Sequence, residues 1–113
     1  MNINFNEIPT QTISGLHGGS GELVAKIYSG EFGKVTPCRL QPGASVGLHS
    51  HEGVEIIYVL YGFGTAVCDG VEEPLSTDVC HICPPGSSHS IANTGEVELV
   101  MLQAEFAARC SRA

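Results

Sequence analysis

The chain has 113 residues, enough for one domain with one core and too few for two of ordinary size. Twelve acidic against five basic side chains give a formal charge of −7 with no cluster of Lys or Arg, which excludes nucleic acid and an anionic membrane surface as expected partners. Only 15% of the residues are charged, while 14 glycines and 6 prolines recur at short intervals, so an all-β domain of many short strands is expected.

The opening "MNINFNEIPTQTISG" carries neither a basic n-region nor an apolar h-region, and no window reaches the length of a membrane span. A soluble, cytoplasmic protein is therefore expected. Five cysteines, Cys38, Cys68, Cys80, Cys83 and Cys110, are an odd count scattered along the chain, which in that compartment reads as reduced, mostly buried thiols. Residues 1–14 read as an arm or edge strand, followed by a glycine-rich loop, "GLHGGSGE", and by "LVAKIYSG" as a first clear strand. The loop lacks the Lys-Ser/Thr ending of a phosphate cradle, and its His17 reads as a solvated side chain. "VTPCRLQPG" forms the next strand, closed at Pro42-Gly43, where proline presets φ and glycine accepts a positive one.

The stretch "GASVGLHSHEGVEIIYVLYG" comes next. His49 and His51 share one face of an extended strand, with Cβ atoms about 6–7 Å apart, so their imidazoles can converge on one ion. Glu55 has the same parity beyond a bend expected at Gly53, and two nitrogens with one carboxylate oxygen suit Mn, Fe, Ni, Co or Zn. Glu52 has the opposite parity and reads as solvated. From Glu55 to Tyr61 both parities are apolar, as in a strand covered on both faces. So short a chain has little material for another layer, and a homodimer is expected.

"TAVCDGVEEPL" places Asp69-Gly70 between two strand-like runs, a hairpin signal because both turn residues need positive φ. In "VCHIC" the thiols of Cys80 and Cys83 fall on opposite faces, so this C-x-x-C reads as core packing rather than a redox or zinc site. His81 reads as a structural or pocket-lining histidine. "VELVMLQAEF", residues 97–106, is a last strand, and "AARCSRA" a half-ordered helix. Tyr61 shares the parity of Glu55 and reads as barrel packing or as a phenol offered to a ligand. Lys26, Arg39 and Gln103 are polar residues inside strand-like runs, and parity alone does not choose which of them anchors a ligand. Eight or more short strands joined by tight turns predict a β-sandwich or closed barrel.

Gly43, five residues, His49, one residue, His51, three residues, Glu55, six residues, Gly62: this pattern resembles the first motif of the cupin superfamily. The second motif runs Gly, five residues, Pro, one residue, Gly, two residues, His, three residues, Asn. Here it is Asp78, Pro84, Gly86, His89 and Asn93 at those spacings, with Asp78 where the family usually has glycine. Aspartate is among the few residues that tolerate a left-handed turn, so the replacement is conservative. The resemblance covers residues 35–106 of a single domain spanning 1–113, and it is to the small single-domain bacterial cupins. These are often dimers and include dioxygenases, isomerases, epimerases, lyases, decarboxylases and non-catalytic binders.

The resemblance implies a small β-barrel of jelly-roll, double-stranded β-helix type. Within it His49, His51, Glu55 and His89 would bind one divalent metal ion (Fe, Mn, Ni or Zn), with Asn93 in a structural role nearby. Four protein donors on an octahedral ion leave two positions for water, dioxygen or a bidentate substrate. Tetrahedral zinc held by all four would be closed and structural, whereas a Glu55 released from the ion would be free as a general base. The expected function is that of a metal-binding cupin taking a small polar molecule that coordinates the ion. It would act as a dioxygenase or an isomerase or lyase, or as a non-catalytic sensor.

Overall fold

The structure, a computed structural model, describes residues 1–108; most of the tail expected to be a half-ordered helix, Cys110 included, lies outside the described residues. Among the described residues eleven strands follow in chain order: β1 (Gln11–Ser14), β2 (Glu22–Ala25), β3 (Tyr28–Gly30), β4 (Gly33–Leu40), β5 (Ser45–Ser50), β6 (Glu55–Tyr61), β7 (Gly64–Cys68), β8 (Val71–Leu75), β9 (Cys80–Cys83), β10 (Ser88–Ala92) and β11 (Leu99–Phe106). One sheet runs β1-β2-β4-β11-β6-β9 with β3 beside β4, and the other runs β5-β10-β7-β8. The two sheets pack face to face without closing into one continuous barrel. Leu23, Leu40, Val59 and Leu99 from the first meet Val46, Ala66, Leu75 and Ile91 from the second in one core. Among the described residues no helix is long and apolar enough to cross a membrane.

"LVAKIYSG" is not one strand. β2 pairs with β4 up to Ala25 opposite Cys38, and pairing resumes in β3 at Tyr28 opposite Val35. Lys26 donates its N–H to the Pro37 carbonyl at 3.1 Å, but Pro37 has no N–H to return, so the ladder breaks there.

β6 is not covered on both faces within this chain. Ile57 and Val59 point into the core, while Tyr58 and Leu60 on the other face are exposed, Leu60 by 50%. Tyr61 also departs from expectation. Val100 of β11 stands opposite Tyr61 and Met101 opposite Val59, a bulge that inserts one extra residue and cancels the parity shared with Glu55. Tyr61 is therefore neither barrel packing nor near a ligand cavity; it is 59% exposed.

The hairpin at Asp69-Gly70 joins β7 to β8 with positive φ at both residues. Asp78 adopts φ +71°, the left-handed conformation expected where the family usually has glycine, and its Oδ1 accepts the Tyr58 hydroxyl at 2.8 Å. Replacing Asp78 with glycine lifts the left-handed strain and removes one solvent-exposed hydrogen bond, two small effects of opposite sign. Asp78→Gly is therefore expected to leave the urea-unfolding free energy within about 1 kcal/mol of the parent, and a larger loss would mean that the Tyr58 bond holds the turn.

Candidate metal centre

The histidines at 49 and 51 lie on β5 and at its end, His89 on β10 of the same sheet, and Glu55 opens β6 of the facing sheet. His49 and His89 are direct cross-strand partners. Glu55 reaches them because the chain turns sharply at Gly53. A Cβ there would stand 1.7 Å from the Phe106 carbonyl oxygen, so only glycine lets the turn lie against the end of β11. Glu52 in the same turn faces solvent.

One donor atom from each of His49, His51, Glu55 and His89 falls within 4.8 Å of all the others. His89 Nε2 is 2.5 Å from Glu55 Oε1 and 3.1 Å from His49 Nε2. His51 Nε2 is 3.0 Å from the same carboxylate oxygen but off the direction a hydrogen bond needs, and it is a buried atom without a hydrogen-bond partner.

The outer nitrogens explain why the inner ones converge. His49 Nδ1 donates to the Gly47 carbonyl at 2.7 Å, and His51 Nδ1 lies 3.1 Å from the Glu105 carboxylate. His81 Nδ1 donates to Glu73 Oε1 at 2.8 Å, which leaves His81 Nε2 to accept from His89 Nδ1 at 2.9 Å. With their Nδ1 protons directed outward, His49 and His89 can each offer an Nε2 lone pair to an ion at the centre in place of their present contacts with Glu55 and with each other. Three imidazole Nε2 atoms and a carboxylate oxygen gather at one point, and the Nε2 of His51 there is buried without a hydrogen-bond partner. The donor set thus fits a divalent ion, which these four residues could hold.

Burial works to raise the Glu55 carboxyl, but hydrogen bonds from His49 and His89, with the charges of His89 and His51, overcome it and hold the group down to about 2. At His49 burial works to lower the imidazole, and bonds to Glu55 and the Gly47 carbonyl outweigh it to give a net rise. Gln103, on the inward face of β11, donates to the second oxygen of Glu55. Of the three polar strand residues weighed from the sequence, Gln103 is the one at the site. Lys26 instead bonds the Phe5 carbonyl at 3.0 Å and ties down the arm, and Arg39 sits 3.9 Å from Glu98.

His17 is not simply solvated. Its ring stacks on that of His49 at 4.1 Å, and burial followed by the nearby charges of His49 and His51 lowers its pKa. The loop comes this close because β5 carries glycine at 47, where a Cβ would stand 2.0 Å from the His17 carbonyl oxygen. His81 is buried and satisfied, as a structural histidine is, yet both of its bonds serve the site. Glu73 and Glu105 were missed. Their only signal is parity, since Glu73 shares the inward face of Leu75 and Glu105 that of Met101 and Gln103. Glu73→Ala is expected to weaken metal affinity about 10- to 100-fold in competition with a chromophoric chelator, because His81 then loses the partner that fixes its tautomer. An unchanged affinity would remove Glu73 from the site.

The remaining expectations divide. Cys83 is buried and its thiol is pushed up to about 12, by burial first and by Cys68 next, but Cys80 is exposed rather than packed in the core. Asn93 is buried, donates to the carbonyls of Leu40 and Val97 and accepts from the Gly95 N–H, so it pins the β10–β11 turn to the end of β4. The site opens into a cavity of about 360 Å³ between the sheets, with His49, His51 and Glu55 in its lining.

Comparison with known proteins agrees with this architecture. The cupin domain family matches residues 38–104. An oxalate-binding protein of Thermotoga maritima is 40% identical over 90% of either chain. The crystal structure of a predicted oxalate decarboxylase from the same organism superposes with a TM-score of 0.87 at 33% identity, covering 96% of this chain and all of that one. An RmlC-like cupin from Shewanella frigidimarina shares the fold at 19% identity, with a TM-score of 0.74 over 92% of this chain and 87% of its own. Through both the family match and the identity to its relatives, the chain belongs to the cupin family.

Proposed function

We propose that the protein binds one divalent metal ion through His49, His51, Glu55 and His89 and, on that ion, a small carboxylate that chelates it. The reading is carried by three histidine Nε2 atoms and the Glu55 carboxylate gathered beside a cavity, the Nε2 of His51 among them buried without a hydrogen-bond partner. A bound six-coordinate ion held by four protein donors supplies two positions for a bidentate ligand. The likeness to an oxalate-binding protein over 90% of either chain supports a ligand with two neighbouring oxygens.

Binding without turnover is favoured by the engagement of the carboxylates. Among the described residues Glu55 and Glu105 are the two that line the cavity; one takes hydrogen bonds from His89 and Gln103, and the other pairs with His51. Neither is left free to carry a proton to a ligand. Exposed Tyr58, Leu60, Ile82 and Leu102, on neighbouring strands of one sheet, support a homodimer, which light scattering tests directly. Free Cys38, Cys68, Cys80 and Cys83 support a reducing, cytoplasmic setting.

Elemental analysis of the purified protein followed by calorimetric titration with oxalate tests the function. Metal near one ion per chain is expected, with oxalate heat seen in metal-replete protein and abolished by stripping the ion. Equal heat from stripped protein would overturn the proposal.

A further inference from the structure

The cavity is too large and too apolar for a ligand as small as oxalate. About 360 Å³ is the room of roughly a dozen liquid waters and lies within the range of pockets that take drug-sized molecules, whereas oxalate has only six non-hydrogen atoms. Beyond the polar end the lining is hydrocarbon: Leu16, Leu23, Val46, Ile57, Ile91 and Met101. Apolar surface of this kind gains nothing from a ligand that is carboxylate at both ends.

Charge points the same way. A divalent ion beside Glu55 keeps one positive charge, and the other charged side chains of the cavity, Lys34 and Glu105, stand opposite each other in the β4–β11 register and balance. A single negative charge therefore neutralises the centre, and the second charge of oxalate would go unmatched.

We propose that the cavity selects a 2-oxo monocarboxylic acid with an apolar tail of several carbons. Its carboxylate and adjacent carbonyl oxygen offer the ion the same pair of neighbouring oxygens that oxalate offers. The tail replaces the second carboxylate and lies against the hydrocarbon wall. This inference rests on the metal-chelate reading above and names the ligand class for it.

The test is a titration series on the full chain reconstituted with Mn²⁺: oxalate, then pyruvate, 2-oxobutanoate, 2-oxopentanoate and 2-oxohexanoate. Each added methylene is expected to lower Kd about fourfold, the effect of burying one such group, with 2-oxohexanoate binding more tightly than oxalate. Leu16→Thr is expected to flatten the series, because the wall against which the tail lies becomes polar. A Kd independent of tail length, or oxalate tighter than every 2-oxo acid, would overturn the selection and leave the metal-chelate reading standing. Failure of all five acids to bind protein that carries its full complement of Mn²⁺ would overturn both.

Discussion

Protein carrying His49→Ala and His51→Ala together is expected to lose affinity for its divalent ion by on the order of a thousandfold or more. An outer partner of a metal ligand already commands roughly 10- to 100-fold, and here two direct donors are removed at once. What remains is Glu55 and His89, bonded to each other at 2.5 Å, a pair satisfied without any ion. Elemental analysis should find the double variant nearly metal-free, and chelator competition should give the size of the loss. The fold should survive, because neither histidine belongs to the apolar core and each is only partly buried. A melting curve close to that of metal-stripped parent protein checks this. Metal content equal to the parent's in a folded double variant would sink the four-donor centre.

Gly53→Ala should strongly destabilise the fold while leaving the four donors in place. Its new methyl would lie 1.7 Å from the Phe106 carbonyl oxygen and 3.2 Å from the Ala108 nitrogen, both rigid backbone rather than a side chain that can swing away. Either the 51–55 turn or the end of β11 must move. The adjacent bond from the Phe106 N–H to the Val54 carbonyl, 2.9 Å, would be strained with it. A loss of at least about 3 kcal/mol is expected in urea unfolding, at the upper end of what overpacking costs. The same shift would carry Glu55 away from the histidines, so metal affinity should fall with stability. Parent-like values of both would show that the turn relaxes freely and that glycine is not required there.

The two effects show where sequence reading reached and where it stopped. The four candidate donors, which the structure brings together, were legible, because His49, His51 and Glu55 sit in one short segment whose spacing repeats a known pattern, and His89 follows in a second. Asp78 was legible too, since a left-handed turn admits few residue types. Tyr61 was not. Strand parity assumes an unbroken ladder, and the bulge opposite Val100 and Met101 is a property of the pairing between β6 and β11, invisible in either strand alone. The split of "LVAKIYSG" is a similar case, because its cause, Pro37, lies on the partner strand.

Local chemistry in the chain thus decided the element types, the turns and the identity of the candidate metal donors, because strand alternation, glycine and proline turns and motif spacing are all short-range. The tertiary structure alone decided how those donors are held. Glu73, His81, Glu105 and Gln103 come from three other strands, and only the pairing of β6 with β9 and β11 and the facing of the two sheets bring them to the histidines and Glu55. The outward bond of His89 goes to a histidine on another strand, and placements of this kind turn a cluster of polar side chains into a set of donors facing one centre. The cavity beside it has the same origin: apolar residues from both sheets meet around the donors, and nothing in any single strand sets that volume.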